Sequence, residues 1–269
     1  MRDRGLGVRE CLRIVYCLLS LISLLGLAWL PWPLCPGPWL LQAQQVMPML
    51  GRPVASATGG GGKALKQCGN ISQASSGTFG QITLSGVTAG DQIEVIGGIE
   101  TNGTITACDG SSTSCAATNS TFSAGAYGAN AASWRPFESH TLNEVNSGSV
   151  TVTVAYSTTT YGMFFACEVS GLTSLDTEGG NTASAGTTIT WPTSLTTTRA
   201  DIIFATAGNG GVNNTYTAGS GWTIPTNGQV SGGGQSAMLE YQITSGSGSV
   251  TPTATVTTSF MANTYAAAF

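Results

Sequence analysis

The chain has 269 residues, of which 41% are hydrophobic and only 8% are charged, and its formal net charge is −4. Disordered chains typically combine low hydrophobicity with high net charge, so this composition argues against a disordered main body. From Gln44 onward the chain has five basic and eleven acidic residues. The lack of a basic stripe argues against a nucleic-acid partner.

The N-terminal region, residues 1–43, has the layout of an export signal. Four arginines precede an uncharged apolar run over residues 14–30, as in a segment that partitions into the membrane behind a basic cytoplasmic end. One interpretation is a signal peptide that is cleaved after Ala43, because a small residue then lies directly before the cut. The alternative is an uncleaved anchor helix, because the apolar region approaches the length that spans a bilayer. A lipid on Cys35 is disfavoured, since no small residues precede it. We expect membrane contact only through this segment.

Residues 44–66 contain four consecutive glycines. Such a stretch is typical of a flexible linker between two parts of a chain.

Residues 67–269 consist of short β-type runs separated by turn-forming clusters. In "SVTVTVAY" the apolar residues Val150, Val152 and Val154 alternate with threonines, which is the period of a strand buried on one face. Helix-forming residues are scarce in this region. The pattern predicts an all-β domain, an antiparallel β-sandwich of the jelly-roll or immunoglobulin-like kind.

The stretch "MFFACEV" divides into two faces. Alternation places Met163, Phe165, Cys167 and Val169 on one face and Phe164, Ala166 and Glu168 on the other. Burying an unpaired carboxylate is costly. We therefore expect Glu168 at a solvated strand end.

A weak internal duplication indicates two related halves, each forming half of a sandwich. "SGSVT" occurs at residues 147–151 and 247–251, and "GDQIEVIGG" and "ADIIFATAG" share an Asp followed by apolar residues. The alternative is coincidence, because a composition rich in Ser, Gly and Thr makes short matches common.

Four cysteines follow the export region, which suggests two disulfides in an oxidising compartment. Cys108 and Cys115 flank the polar turn "DGSSTS", which favours a local bridge, and Cys68 with Cys167 follows by elimination. Metal binding by these thiols is disfavoured, because no Cys-x-x-Cys pair occurs and His140 is the only histidine.

The order of several segments carries a family resemblance. In sequence these are "AGDQIEVIGG", "ASWRPF", "NSGSVTVTVAYS", "CEVSGLTSLD", "TTTRADIIFATAG", "AGSGWT" and the closing "AAAF". Over roughly residues 67–269 the chain resembles a family of exported bacterial β-sandwich domains that are mostly uncharacterised. Val169 stands where that family has an aromatic residue after the acid, and Cys167 precedes the acid. The resemblance implies a sandwich and a surface location, and it supplies no catalytic residues.

Catalytic chemistry has little support in the sequence. His140 reads as a surface loop residue, and no G-x-S-x-G elbow accompanies it. A secreted glycoside hydrolase needs two carboxylates at a set separation. The sequence gives no means of pairing the candidates, which are Glu100, Glu138, Glu168, Asp176, Glu178 and Glu240. Replacement of Glu168 or Glu240 by Gln would test this alternative. Asp176, Glu178 and Asn181 lie close together in "LDTEGGN" but lack EF-hand spacing, so a solvated loop is favoured over a calcium site. We predict no cofactor and no metal.

Binding is the favoured function. Exposed aromatic rings on sandwich loops can stack on the apolar faces of sugars. The candidate ligand-binding residues are Trp222, Tyr216, Trp134, Tyr241 and Asn214. We expect a secreted or cell-surface adhesion module for a glycan or another extracellular polymer. A structural subunit of a surface layer or appendage is the alternative, favoured by the low charge and the Thr-rich strands.

Overall fold

The described part of the chain folds into β-strands. A computed structural model describes residues 62–72, 77–115, 120–128, 134–142, 145, 147–183, 185–210, 213–232 and 234–269. The predicted signal or anchor helix over residues 1–43 and most of the predicted linker lie outside the described residues. The first strand begins at Ala64, slightly before the predicted domain boundary at Gln67. No helix long and apolar enough to cross a membrane occurs among the described residues.

The first half of the folded body has eight strands in two antiparallel sheets. A five-stranded sheet has the order β1-β8-β3-β6-β5, and a three-stranded sheet has the order β2-β7-β4. The strands are β1 (Ala64–Ser72), β2 (Gly77–Val87), β3 (Gln92–Ile99), β4 (Ile105–Asp109), β5 (Ala126–Tyr127), β6 (Arg135–His140), β7 (Gly148–Thr160) and β8 (Gly162–Ser170).

The second half has ten strands. A five-stranded sheet has the order β14-β15-β12-β18-β9, a three-stranded sheet has the order β10-β17-β13, and β11 pairs with β16. The strands are β9 (Thr177–Thr182), β10 (Gly186–Thr190), β11 (Leu195–Thr197), β12 (Ile202–Gly210), β13 (Tyr216–Ala218), β14 (Gln229–Gly232), β15 (Gln235–Ile243), β16 (Gly248–Val250), β17 (Thr253–Phe260) and β18 (Asn263–Ala268).

The two halves share one strand order. From its other edge the second five-stranded sheet runs β9-β18-β12-β15-β14, which matches β1-β8-β3-β6-β5 strand by strand, and β10-β17-β13 matches β2-β7-β4. The central strands β3 and β12 come from "DQIEVIGG" and "DIIFATAG", the two segments whose similarity indicates a duplication. This correspondence favours duplication over coincidence.

Three apolar cores separate four layers of sheet. One core lies between the two sheets of the first half and contains Ile93, Val95 and Phe164. A second lies between the two sheets of the second half and contains Ile203 and Ala205. The third core draws its residues from both five-stranded sheets, so these sheets pack against each other. Each half is therefore a complete sandwich, which corrects the expectation that each half forms half of one.

The central layers explain why several strands read as continuous apolar runs. In β12, Ile202 and Phe204 belong to the third core, while Ile203 and Ala205 belong to the second. Strands that are buried on both faces lack the alternation of a half-solvated sheet. The predicted faces of β8 also hold, because Phe165 packs in the third core and Phe164 in the first.

Trp134 fills the space between the two central sheets. Its indole is completely buried in the third core. A Cβ at Gly98 of β3 would lie 2.7 Å from Cε2 of this ring, so the close approach requires glycine there. The backbone carbonyl of Trp134 accepts a hydrogen bond of 2.7 Å from Nδ2 of Asn263 in β18, which further joins the two halves.

Both expected cysteine pairs lie at bonding distance. Cys68 of β1 is bonded to Cys167 of β8, at directly paired positions of the two strands. Cys108, near the end of β4, is bonded to Cys115 in the turn that follows. The first bridge is buried in the third core, and the second closes a surface loop.

The outer sheets present hydroxyl groups to solvent. In the second half, Thr188, Thr255 and Thr217 are exposed and paired across β10, β17 and β13. In the first half, the hydroxyls of Thr83 and Thr151 lie 3.2 Å apart on paired positions of β2 and β7. These threonines form the outward faces, while their sequence neighbours enter the cores.

Candidate functional site

A cluster of three ionisable side chains lies between the two sandwiches. Glu94 of β3 is paired with His140 of β6, and Glu138 lies two residues before His140 on the same strand. Side chains two residues apart on a strand share a face, and this face of β3 also carries Ile96 of the third core. Glu94 is completely buried, Glu138 is 1% exposed and His140 is 9% exposed. We call these three residues the Glu-Glu-His cluster.

The three side chains are within reach of one common ligand. Their potential ligand atoms all lie within 4.8 Å of one another. Nδ1 of His140 lies 2.8 Å from Oε1 of Glu138, at hydrogen-bonding distance. Both carboxylate oxygens of Glu94 are buried without an N–H or hydroxyl donor among the described residues. The polar group next to Glu94 is the carboxyl of Glu138. Such an arrangement is costly for an ionised carboxylate unless a cation or a proton compensates it.

The environment of the cluster disfavours negative charge. Burial raises the pKa of the Glu94 carboxyl well above its usual range, and the neighbouring Glu138 raises it further. Burial also raises the pKa of Glu138, and the hydrogen bond with His140 offsets this only in part. Two neighbouring carboxylates in a buried region cannot both ionise freely.

The second sandwich supplies the remaining walls of the cluster. The ring of Phe269 meets the His140 ring edge to face, with centroids 4.8 Å apart. The hydroxyl of Tyr265 donates a hydrogen bond to Oε2 of Glu178. Burial, that hydrogen bond and the nearby carboxylates raise the pKa of Tyr265. The cluster thus lies at the junction of the two halves.

His140 and Glu168 do not lie where the sequence predicts. His140 ends strand β6 instead of lying in a surface loop, because its side chain enters the junction. Glu168 is only 2% exposed, which contradicts a solvated strand end. Its Oε1 accepts a 2.7 Å hydrogen bond from the backbone N–H of Thr88, and its Oε2 accepts one of 2.6 Å from Nε2 of Gln67. These donors compensate the burial.

The two carboxylates named for hydrolase chemistry do not meet. Glu168 belongs to β8 of the first sandwich, whereas Glu240 belongs to β15 of the second and is completely buried. Oε2 of Glu240 accepts a 3.2 Å hydrogen bond from the backbone N–H of Gly219. Burial raises the pKa of Glu240 to about 8. Glu240 therefore anchors the "AGSGW" turn through the hydrogen bond from Gly219.

Four of the five candidate ligand-binding residues are core residues. Trp134 is completely buried, and Tyr216, Asn214 and Trp222 are 3%, 6% and 8% exposed. The hydroxyl of Tyr216 bonds to Ser236, and the side-chain oxygen of Asn214 accepts a hydrogen bond from the backbone N–H of Thr258. Their rings and amide are used in packing, so they offer no surface for stacking on a sugar.

Tyr241 differs from the other four because it is partly exposed and lines a groove. The groove has a volume of about 330 Å³ and is bounded by residues 65–68 of β1, residues 223–226 and Tyr241. We call it the Tyr241 groove. Its walls come from both halves, because β1 belongs to the first sandwich and Tyr241 to β15 of the second.

Hydrogen bonds fix both walls of the Tyr241 groove. Nδ2 of Asn227 donates to the carbonyl of Cys68 at 2.9 Å, and Nδ2 of Asn70 donates to the carbonyl of Asn227 at 2.7 Å. Thr223 and Tyr241 exchange backbone hydrogen bonds of 3.0 and 2.9 Å. Cys68, on one wall, is also held by its disulfide.

The segment considered for calcium directs its side chains to other partners. Asp176 accepts hydrogen bonds of 2.6 Å from the backbone N–H and the hydroxyl of Thr198, and Glu178 accepts from Tyr265. The side chain of Asn181 lies outside what the structure describes.

The Glu-Glu-His cluster is not among the sites predicted from the sequence. A signal was present, because Glu94 interrupts an apolar strand and "FESH" carries Glu138 and His140 with matching alternation. Assigning these residues to a buried face required knowing that β3 and β6 pair and that a second sandwich covers them.

Comparison of the chain with family models, with curated proteins and with solved structures found no match.

Proposed function

We propose that the protein is an extracytoplasmic, non-catalytic module that binds an extracellular polysaccharide in the Tyr241 groove. The observation that carries this proposal is the partly exposed ring of Tyr241 in a groove of about 330 Å³. A tyrosine ring offers an apolar face for a sugar ring and a hydroxyl for hydrogen bonding. The two disulfides support an oxidising compartment outside the cytoplasm.

The chemistry of the groove suits a neutral or weakly acidic polymer. The exposed side chain of Lys66 and the side chains of Gln67, Thr223 and Thr226 surround the apolar surface of Ile224 and Pro225. Polar groups in such a groove fix the orientation of a ligand, and the apolar surface adds contact area. The hydrogen bonds of Asn227 and Asn70 hold the walls before binding, which lowers the entropic cost of association.

A polysaccharide array probed with the full chain tests this proposal. Wild type should be retained on at least one polymer, and Tyr241→Ala should weaken that retention about fivefold, since an aromatic contact contributes roughly 1 kcal/mol. Tyr161→Ala is the matched control, because Tyr161 is also partly exposed but lies outside the groove. Thermal unfolding of both variants should show that each is folded.

Two results contradict the proposal. One is a wild-type chain that binds no polymer on the array. The other is a Tyr241→Ala variant that binds as well as wild type. Ordered assemblies of a chain that binds no polymer would instead favour a structural subunit.

A further inference from the structure

We propose that Glu94, Glu138 and His140 form a binding site for one divalent first-row transition-metal ion, such as Zn²⁺, at the junction of the two sandwiches. Their ligand atoms lie within 4.8 Å of one another. Two neighbouring strands supply all three side chains, and Glu94 and His140 occupy directly paired positions. The register of the sheet therefore brings the ligands together without any loop.

The carboxylate of Glu94 is the observation that calls for a ligand. It is completely buried, and no described N–H or hydroxyl donor bonds to either of its oxygens. The buried carboxylate of Glu168 is a contrast, since a donor from Gln67 and one from Thr88 approach its two oxygens. The buried Glu240 accepts one hydrogen bond, from the backbone N–H of Gly219. Glu94 instead faces the second carboxylate and the histidine ring.

A divalent cation balances the charge of this site. Two ionised carboxylates and a neutral imidazole carry two negative charges, which a single M²⁺ ion cancels. Uncompensated charges in a dry interior are strongly unfavourable. Coordination of both carboxylates to one cation would also compensate the repulsion between two neighbouring ionised groups.

The ligand types indicate the class of metal. Imidazole nitrogen favours Zn²⁺, Fe²⁺, Co²⁺ or Ni²⁺ over the hard cations, and carboxylate oxygens are compatible with these ions. The side chain of His140 retains 11% exposure, which gives an ion access from solvent.

Metal binding at this place would affect the stability of the whole body. The ring of Phe269 in the second half packs against His140, and strand β18, which carries Tyr265, contacts β6. An ion that fixes His140 and Glu138 therefore fixes one side of the contact between the two halves. A ligand that binds only the folded state raises the unfolding temperature.

Titration of the chelator-treated full chain with Co²⁺ is the direct test. Co²⁺ reports nitrogen and oxygen ligands through its visible ligand-field absorption. We expect one Co²⁺ ion per chain that is absent in Glu94→Gln and displaced by Zn²⁺. Glu240→Gln is the matched control, because Glu240 is equally buried but lies in the other sandwich. Cys11, Cys17 and Cys35 are common to all variants, so binding by those thiols cancels in the comparison.

A second variant and a second measurement keep the test decisive if Glu94→Gln does not fold. His140→Gln should weaken Co²⁺ binding by more than about tenfold, the loss typical even of groups that only support a ligand. Addition of Zn²⁺ should raise the unfolding temperature of the wild-type chain, and a chelator should reverse the rise.

Two outcomes overturn the proposal. Wild type that binds no Co²⁺ and is not stabilised by Zn²⁺ would show that the two carboxyls only share a proton. Binding that persists unchanged in Glu94→Gln and His140→Gln would place the ion elsewhere. Neither outcome affects the polysaccharide test, which depends on Tyr241.

Discussion

The indole of Trp134 in the first half rests against the backbone of Gly208 in the second, and a Cβ at Gly208 would lie 2.4 Å from Cε2 of the ring. This contact crosses the third core. It links the packing of one sandwich to the strand β12 at the centre of the other.

Gly208→Ala should destabilise the protein by about 1–3 kcal/mol or more, because the added methyl group forces the buried indole or the strand to move. Chemical denaturation monitored by tryptophan fluorescence measures the change. Gly248→Ala is the control, because nothing lies within 4 Å of its Cβ position. Equal stability of the two variants would show that the junction adapts to the added volume.

Removal of the two disulfides should have unequal effects. Cys68 and Cys167 are separated by 99 residues and Cys108 and Cys115 by 7. The chain-entropy model gives about 4.7 kcal/mol for a loop of ~100 residues and about 2.4 kcal/mol for the short one. Paired Cys→Ala variants compared by denaturation should therefore rank in that order. The opposite ranking would mean that strain or residual structure outweighs loop closure.

Glu240→Gln should flatten the pH dependence of stability between about pH 4.5 and pH 8. Burial raises the pKa of Glu240 to about 8 in the folded protein. The unfolded chain releases this proton near 4.5, so wild type loses on the order of 4 to 5 kcal/mol as the pH rises through that window. The Gln variant keeps a neutral side chain throughout. It should be the more stable protein at pH 9, as measured by urea denaturation from pH 4 to 9.

Glu168→Gln, in contrast to Glu240→Gln, should destabilise the protein at neutral pH. Burial alone would raise the pKa of Glu168, but hydrogen bonds from Gln67 and Thr88 outweigh it and lower the pKa below its ordinary 4.5. The charged form therefore stabilises the fold above about pH 4.5, and this contribution is lost as the pH falls through the lowered pKa.

At pH 7 we expect Glu168→Gln to lose about 1–3 kcal/mol, because one oxygen is replaced by an amide that meets a donor. The deficit should shrink in acid. Glu100→Gln is a suitable control, since Glu100 is partly exposed and burial raises its pKa. A Glu168→Gln variant as stable as wild type at pH 7 would contradict the hydrogen-bonding role assigned to this carboxylate.

The sequence was sufficient to predict features that depend on local pattern. Alternation in "SVTVTVAY" identified strand β7, and alternation in "MFFACEV" assigned Cys167 and Phe165 to one face. Turn-forming residues between Cys108 and Cys115 indicated a local bridge. Each of these signals lies within a few residues, so it does not depend on how the sheets stack.

Features that depend on stacking were not predictable from the sequence. The burial of Glu94, Trp134 and Glu168 arises because other layers or distant segments cover them. In the sequence alone, a tryptophan near a turn is equally compatible with an exposed ring and with a core residue. Of the five predicted ligand-binding residues, Tyr241 is partly exposed and the other four are buried. The Glu-Glu-His cluster forms only through the pairing of β3 with β6.

The outward threonines of the two three-stranded sheets contribute to the exposed surface and not to the apolar cores. Thr188, Thr255 and Thr217 contact solvent, while the residues beside them hold the cores. A substitution at one of these outward positions changes the chemistry of the exposed surface without changing the side chains that form the cores. Natural or designed substitutions can therefore add charged residues or glycosylation sites to both outer faces without changing how the sheets pack.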